Sequence, residues 1–101
     1  MASMVDALGG HVISIKKLHK VGRESSMVET VVNSPEVSRV HFTIEWVDNT
    51  WIFRDLSKNG TWINGIKAAL EVPYELSVGD RICFAKNTDI GFKIKELQAP
   101  K

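Results

Sequence analysis

The sequence predicts an all-β fold, a β-sandwich or barrel made from about 10–11 short strands. Three observations carry that expectation. No helix-period pattern of useful length occurs along the chain. The run "VHFTIEWV" alternates strictly, with Val40, Phe42, Ile44 and Trp46 apolar and His41, Thr43 and Glu45 between them. Period two is the signature of a strand with one buried face, and it puts His41 on the face opposite Phe42. Short β-rich runs separated by turn residues fill most of what remains.

Taken in order, "MASMVDALGG" lacks the basic start and long apolar core of a signal peptide. Residues 1–10 are expected to be a flexible leader or linker outside the fold, and 11–97 the sandwich domain. "HVISI" alternates through Ile13 and Ile15, "HKVGR" runs into a loop at Gly22, and "ETVVN" is β-branched. The alternating strand ends at Asp48-Asn49, a turn signal, and "TWIFRDL" returns as its hairpin partner. "RDLSKNGTWING" then sets two Asn-Gly pairs around a short apolar run, describing a loop, a very short strand and the start of another loop. "YEL" and "RICFA" flank a turn at Val78-Gly79-Asp80, and "GFKIKEL" is the last strand. Residues 98–101, "QAPK", read as a fraying tail.

A chain of 101 residues with 44% hydrophobic and 25% charged side chains fits one globular domain. Thirteen basic against twelve acidic residues leave a net charge of +1, which argues against a nucleic-acid or membrane binder acting by bulk charge. No apolar run approaches the roughly 18 residues of a membrane span. The single cysteine, Cys83, cannot close an internal disulfide, so a reducing, cytoplasmic compartment is expected, or the nucleus in a eukaryote. Its side chain reads as a small buried hydrophobe rather than a reactive thiol. Three scattered histidines and one cysteine offer no metal-ligand spacing, and no nucleotide-binding fingerprint occurs, so neither metal nor cofactor is expected.

Four polar stretches stand out: Gly22 to Ser25, the Pro-containing loop delivering Ser38 and Arg39, Ser57 to Gly60, and Asn64-Gly65. Their arginines, lysine, serines and asparagines donate hydrogen bonds, and Arg presents a planar fork that matches phosphate oxygens. Such a set suits a phosphate group, although Arg and Ser in loops are commonly solvated bystanders. Ser38-x-x-His41 also invites a hydrolase reading with Asp55 as the orienting third group. No nucleophile-elbow context supports it, and a structural role for His41 is the better expectation.

The ordered blocks Gly22-Arg23, Ser38-Arg39-Val40-His41, Asp55 to Thr61, Asn64-Gly65 and Leu76 to Ile82 together resemble the forkhead-associated (FHA) domain, over roughly residues 21 to 95. The resemblance implies a β-sandwich of two twisted, mainly antiparallel sheets with the recognition loops at one end, and a module that binds phosphothreonine peptides and is not an enzyme. It implies that Arg23 and Ser38 contact the phosphate, and that Asn59 bonds the peptide backbone. Gly22 and Gly60 would supply backbone geometry, His41 would brace the Ser38 loop, and Thr61, Trp62 and Asn64 would shape their loop. Ile66 and Lys67 are candidates for reading the third position after the phosphothreonine. Lys58 stands where the family often has Thr or Ser; it either replaces that phosphate contact or points into solvent. Arg39 is either a supplementary phosphate contact or an exposed side chain. The first hairpin is shorter than usual for the family if the fold begins at His11. The partner implied is a phosphothreonine-containing protein, the isolated domain being monomeric and part of a larger regulatory protein. The rival of another class is a sandwich that binds its partner constitutively, without phosphate.

Overall fold

The computed structural model describes residues 1–7, 9–84 and 90–100. Among the described residues, eleven strands run in the order β1 (Ala2–Asp6), β2 (Val12–Ser14), β3 (Leu18–Gly22), β4 (Thr30–Val31), β5 (Phe42–Val47), β6 (Thr50–Asp55), β7 (Trp62–Ile63), β8 (Ile66–Lys67), β9 (Tyr74–Glu75), β10 (Arg81–Cys83) and β11 (Gly91–Leu97). One sheet has six strands, ordered β2-β1-β11-β10-β7-β8, and the other five, ordered β4-β3-β5-β6-β9. All strand pairs are antiparallel except β3 with β4. The expected two-sheet, mainly antiparallel architecture is present. Ala85 of the expected "RICFA" strand, Leu8 of the leader and Lys101 of the tail lie outside the described residues.

The core forms where the inward faces meet. Met4, Ile63, Ile82, Phe92 and Ile94 come from the six-stranded sheet, and Val21, Phe42, Ile44, Trp51 and Phe53 from the other. Phe42 sits in an aromatic cluster, with ring centroids 5.2 Å from Phe53 and 5.8 Å from Phe84. Tilted contacts of this kind bury much apolar area and suit the ring quadrupoles. The β5–β6 hairpin turns through Asp48 and Asn49, both with positive φ (49° and 64°), which matches the twist of the flanking strands. Asn64 (52°) and Gly65 (83°) do the same between β7 and β8. The second Asn-Gly is therefore a tight two-residue hairpin rather than the start of a longer loop.

The flexible leader expected over residues 1–10 is not found. Ala2–Asp6 is a strand seated between β2 and β11, and Ala2, Ser3 and Met4 are all buried. The first hairpin is therefore β1–β2, starting nine residues before His11, and the shortened edge expected there does not occur. Nor does the chain fray at Gln98. Its N–H donates to the Met1 carbonyl (2.8 Å), its own carbonyl accepts from Trp51 Nε1 (2.9 Å), and the Met1 amino group donates to the Ala99 carbonyl. The two termini hold each other beside β6. Cys83 is half-buried on β10, less enclosed than the expected core position. Among the described residues, no helix is long and apolar enough to cross a membrane.

Candidate functional site

Three loops meet at the ends of β3, β5 and β6. Gly22 closes β3 where a side chain has no room: an added Cβ would lie 2.1 Å from the Arg39 carbonyl oxygen. Glycine is required there by close backbone approach, and that approach brings two loops together. Arg23 N–H donates to the Ser38 carbonyl (3.0 Å) and Glu24 N–H to the Arg39 carbonyl (3.2 Å). The Arg23 and Arg39 side chains are exposed, and Ser38 is half-buried.

His41 ties this pair of loops to the third. Its ring accepts at Nδ1 from the Ser38 backbone N–H (3.0 Å), so the proton sits on Nε2, which donates to the Gly60 carbonyl (2.9 Å). The ring is fully buried and stands edge-on to Phe84 at 4.9 Å. Burial holds its pKa below the ordinary value of 6.5, opposed by the bond to Gly60 and the charge of Asp55. The strict alternation had put His41 on the face away from Phe42, but both are buried. The regular strand begins only at Phe42, and the imidazole lies beneath the loops instead of in solvent.

Asp55 organises the third loop. Its buried Oδ1 accepts from Ser57 N–H (3.0 Å), Ser57 Oγ (2.6 Å) and Thr61 Oγ1 (2.9 Å). Ser57 Oγ in turn accepts from Gly60 N–H (2.8 Å), and Gly60 takes φ of 98°. This wiring turns the chain back so that Lys58 and Asn59 project from the tip, both exposed. Lys58 N–H donates to Ser38 Oγ (3.1 Å), and Asn59 Nδ2 donates to the Glu36 carbonyl (3.1 Å). Asp55 is the residue the sequence undervalued, having entered as the start of one block of the resemblance and as the third member of a hypothetical triad, with no role in holding the loop. The signal was available: an Asp two residues before a Ser is an Asx-turn pattern.

The structure thus gathers Arg23, Ser38, Arg39, Lys58 and Asn59 around three mutually bonded loops, braced from below by Gly22, His41, Gly60 and Thr61. Asn64 lies apart from them, fastening the β7–β8 turn to β10. Its Nδ2 donates to Asp80 Oδ1 (2.9 Å), and its Oδ1 accepts from Arg81 N–H (2.9 Å). Lys67 and Lys58 both line a depression of about 400 Å³ floored by Ala68, Ala69 and Leu70. Lys67 crosses the Trp62 ring at 5.7 Å, and an added Cβ at Gly60 would meet its Cε at 2.7 Å. Ile66 is 74% exposed and does not line that depression. No Ser38–His41–Asp55 relay is formed: both imidazole nitrogens are taken by backbone groups, and Asp55 Oδ1 by Ser57 and Thr61.

Residues 19–85 match the family model of the FHA domain. The chain belongs to the FHA domain family. Within that family it is 37% identical over 70 residues to the serine/threonine-protein kinase RAD53 of Saccharomyces cerevisiae, a stretch covering 68% of this chain and 8% of the kinase. Among solved structures it resembles the MEK1 FHA domain, with 26% identity, a TM-score of 0.79, and 93% and 88% of the two chains covered. It shares its fold with the N-terminal FHA domain of S. cerevisiae Rad53p, solved with a phosphothreonine peptide (24% identity, TM-score 0.83, 93% and 91% covered).

Proposed function

We propose that this FHA domain is a phosphothreonine-dependent interaction module that captures a phosphorylated segment of a partner protein, as part of a larger regulatory protein. The observation that carries the reading is the convergence of donors on one end of the sandwich. Arg23 supplies a charged fork, Ser38 a hydroxyl, Lys58 an ammonium and Asn59 an amide, all on loops fixed to one another by hydrogen bonds, backbone to backbone between the first two and through the Ser38 and Asn59 side chains to the third. Charge-assisted bonds to a phosphate are roughly twice as strong as neutral ones. Fixed loops reduce the ordering cost of making them. Arg23 and Ser38 are assigned to the phosphate and Asn59 to the peptide backbone. Arg39 and Lys58 add positive charge at the rim, and Lys67 faces the residues flanking the phosphothreonine. Ile66 does not line that depression, which favours Lys67 of the two selectivity candidates. With His41 committed to holding loops, the domain has a binding role and not a catalytic one.

A short exposed peptide buries little surface, so affinity is expected to be micromolar, about 8 kcal/mol. Threonine is expected to be preferred over serine by about 1 kcal/mol if its methyl is enclosed. The test is fluorescence-anisotropy titration against degenerate phosphothreonine, phosphoserine and unphosphorylated peptide libraries. Binding confined to the phosphothreonine pool, weakening with salt, is the expected result. Arg23→Ala should abolish it with an unchanged thermal melt. Binding indifferent to phosphate would overturn the assignment in favour of constitutive partner binding.

A further inference from the structure

We propose that the outer face of the six-stranded sheet is a second docking surface, one that takes an unphosphorylated acidic segment of a partner protein. Arg81 on β10 and Lys93 on β11 are directly opposite in register, and both are exposed. The Ile94 N–H bond to the Asp80 carbonyl (2.8 Å) makes Arg81–Lys93 the neighbouring non-hydrogen-bonded pair, the geometry that brings side chains closest. Like charges placed directly opposite destabilise a sheet. Lys95, two residues along β11 and also exposed, adds a third cation to the face.

Among the described residues, none of the three forms an ion pair. The whole chain carries a surplus of only one positive charge, so this is a local concentration rather than a basic protein's average. Edge protection does not account for it, because lysines guard sheet edges and here β10 and β11 are interior strands. The cations surround a groove of about 880 Å³ whose apolar lining includes Val5 and Val78. Asp6 also lines it, with Oδ1 accepting from Gly9 N–H (3.4 Å) in the β1–β2 turn. None of the lining residues belongs to the loops carrying Arg23, Ser38 and Asn59. An extended segment with alternating carboxylates and aliphatic side chains complements this surface. Its carboxylates would separate Arg81 from Lys93, and its apolar groups would cover the floor.

The experiment is NMR titration of the labelled domain with a short unphosphorylated Glu/Asp-rich peptide, beside its Gln/Asn counterpart and phosphatidylserine vesicles. Expected are saturable shifts confined to β1, β10 and β11 with the acidic peptide alone. The double variant Arg81→Gln/Lys93→Gln should lose that binding at least tenfold, melt no lower than the parent, and keep its phosphothreonine-peptide affinity. No shifts, shifts centred on the Arg23–Asn59 loops, or a response to vesicles without one to the peptide would each overturn the proposal. So would a double variant that binds the acidic peptide undiminished.

Discussion

At the scale of single residues, the candidate site depends on groups that hold its loops together from below. Gly22 admits the Arg39 carbonyl to within what would be 2.1 Å of a Cβ, and the atoms in the way are backbone, which cannot swing aside. Gly22→Ala should therefore cost about 3 kcal/mol of stability, read as a lowered denaturant midpoint, and should weaken phosphopeptide binding because Arg23 and Ser38 move apart. Thr61→Val tests the other end of the wiring. It keeps the shape of a buried side chain but removes one donor to Asp55 Oδ1, which retains Ser57. The expected loss is about 1 kcal/mol, measured by chemical denaturation, with peptide affinity falling less than for Arg23→Ala.

Among the elements, what the sequence disclosed depended on how local the signal was. Asp48-Asn49 and Asn64-Gly65 carry their turn chemistry in two adjacent residues, so the β5–β6 hairpin could be read directly. The polar loop positions Arg23, Ser38, Lys58 and Asn59 stood out by residue type, and their grouping in one place followed from the family resemblance. Strand β1 was not. Ala2, Ser3 and Met4 are all buried, so no alternation marks them, and their partner β11 lies about ninety residues away. Thr30–Val31, pairing in parallel with β3, is too short to announce a partner. His41 was legible as a brace but not as a buried ring, because its burial comes from Gly60 and Phe84, distant in sequence. The strand role of β1 has a direct check. Met4 is fully buried, and Met4→Ala should lower stability by about 3 kcal/mol. A flexible leader would give no change in the denaturant midpoint.

For the whole molecule, two buried histidines couple fold stability to acidity. His19 repeats the wiring of His41. Its Nδ1 accepts from the N–H three residues earlier, Lys16 (3.0 Å), and Nε2 meets Thr30 Oγ1 (2.7 Å), fastening β3 to β4. Burial lowers its pKa as it lowers that of His41, with Glu29 opposing and Lys16 reinforcing the shift. In the unfolded chain both rings return to about 6.5. Above that value both states carry neutral imidazoles, and stability does not depend on them. As pH falls below about 6.5 the unfolded state binds protons that the folded state refuses, so stability declines until the lowered folded pKa values are reached. Denaturant midpoints should therefore fall between pH 7.5 and pH 5. His19→Gln and His41→Gln should each remove part of that slope, and a slope unchanged in both variants would contradict the neutral assignment. The two differ in what acid does to function. Protonating Nδ1 of His41 displaces the Ser38 N–H, loosening the loop that carries Ser38, the proposed phosphate contact, whereas protonating His19 acts at β4, away from Ser38. As pH falls through the lowered folded pKa of His41, protection of the Ser38 amide should therefore drop in the parent, stay level across the same range in His41→Gln, and drop as in the parent in His19→Gln.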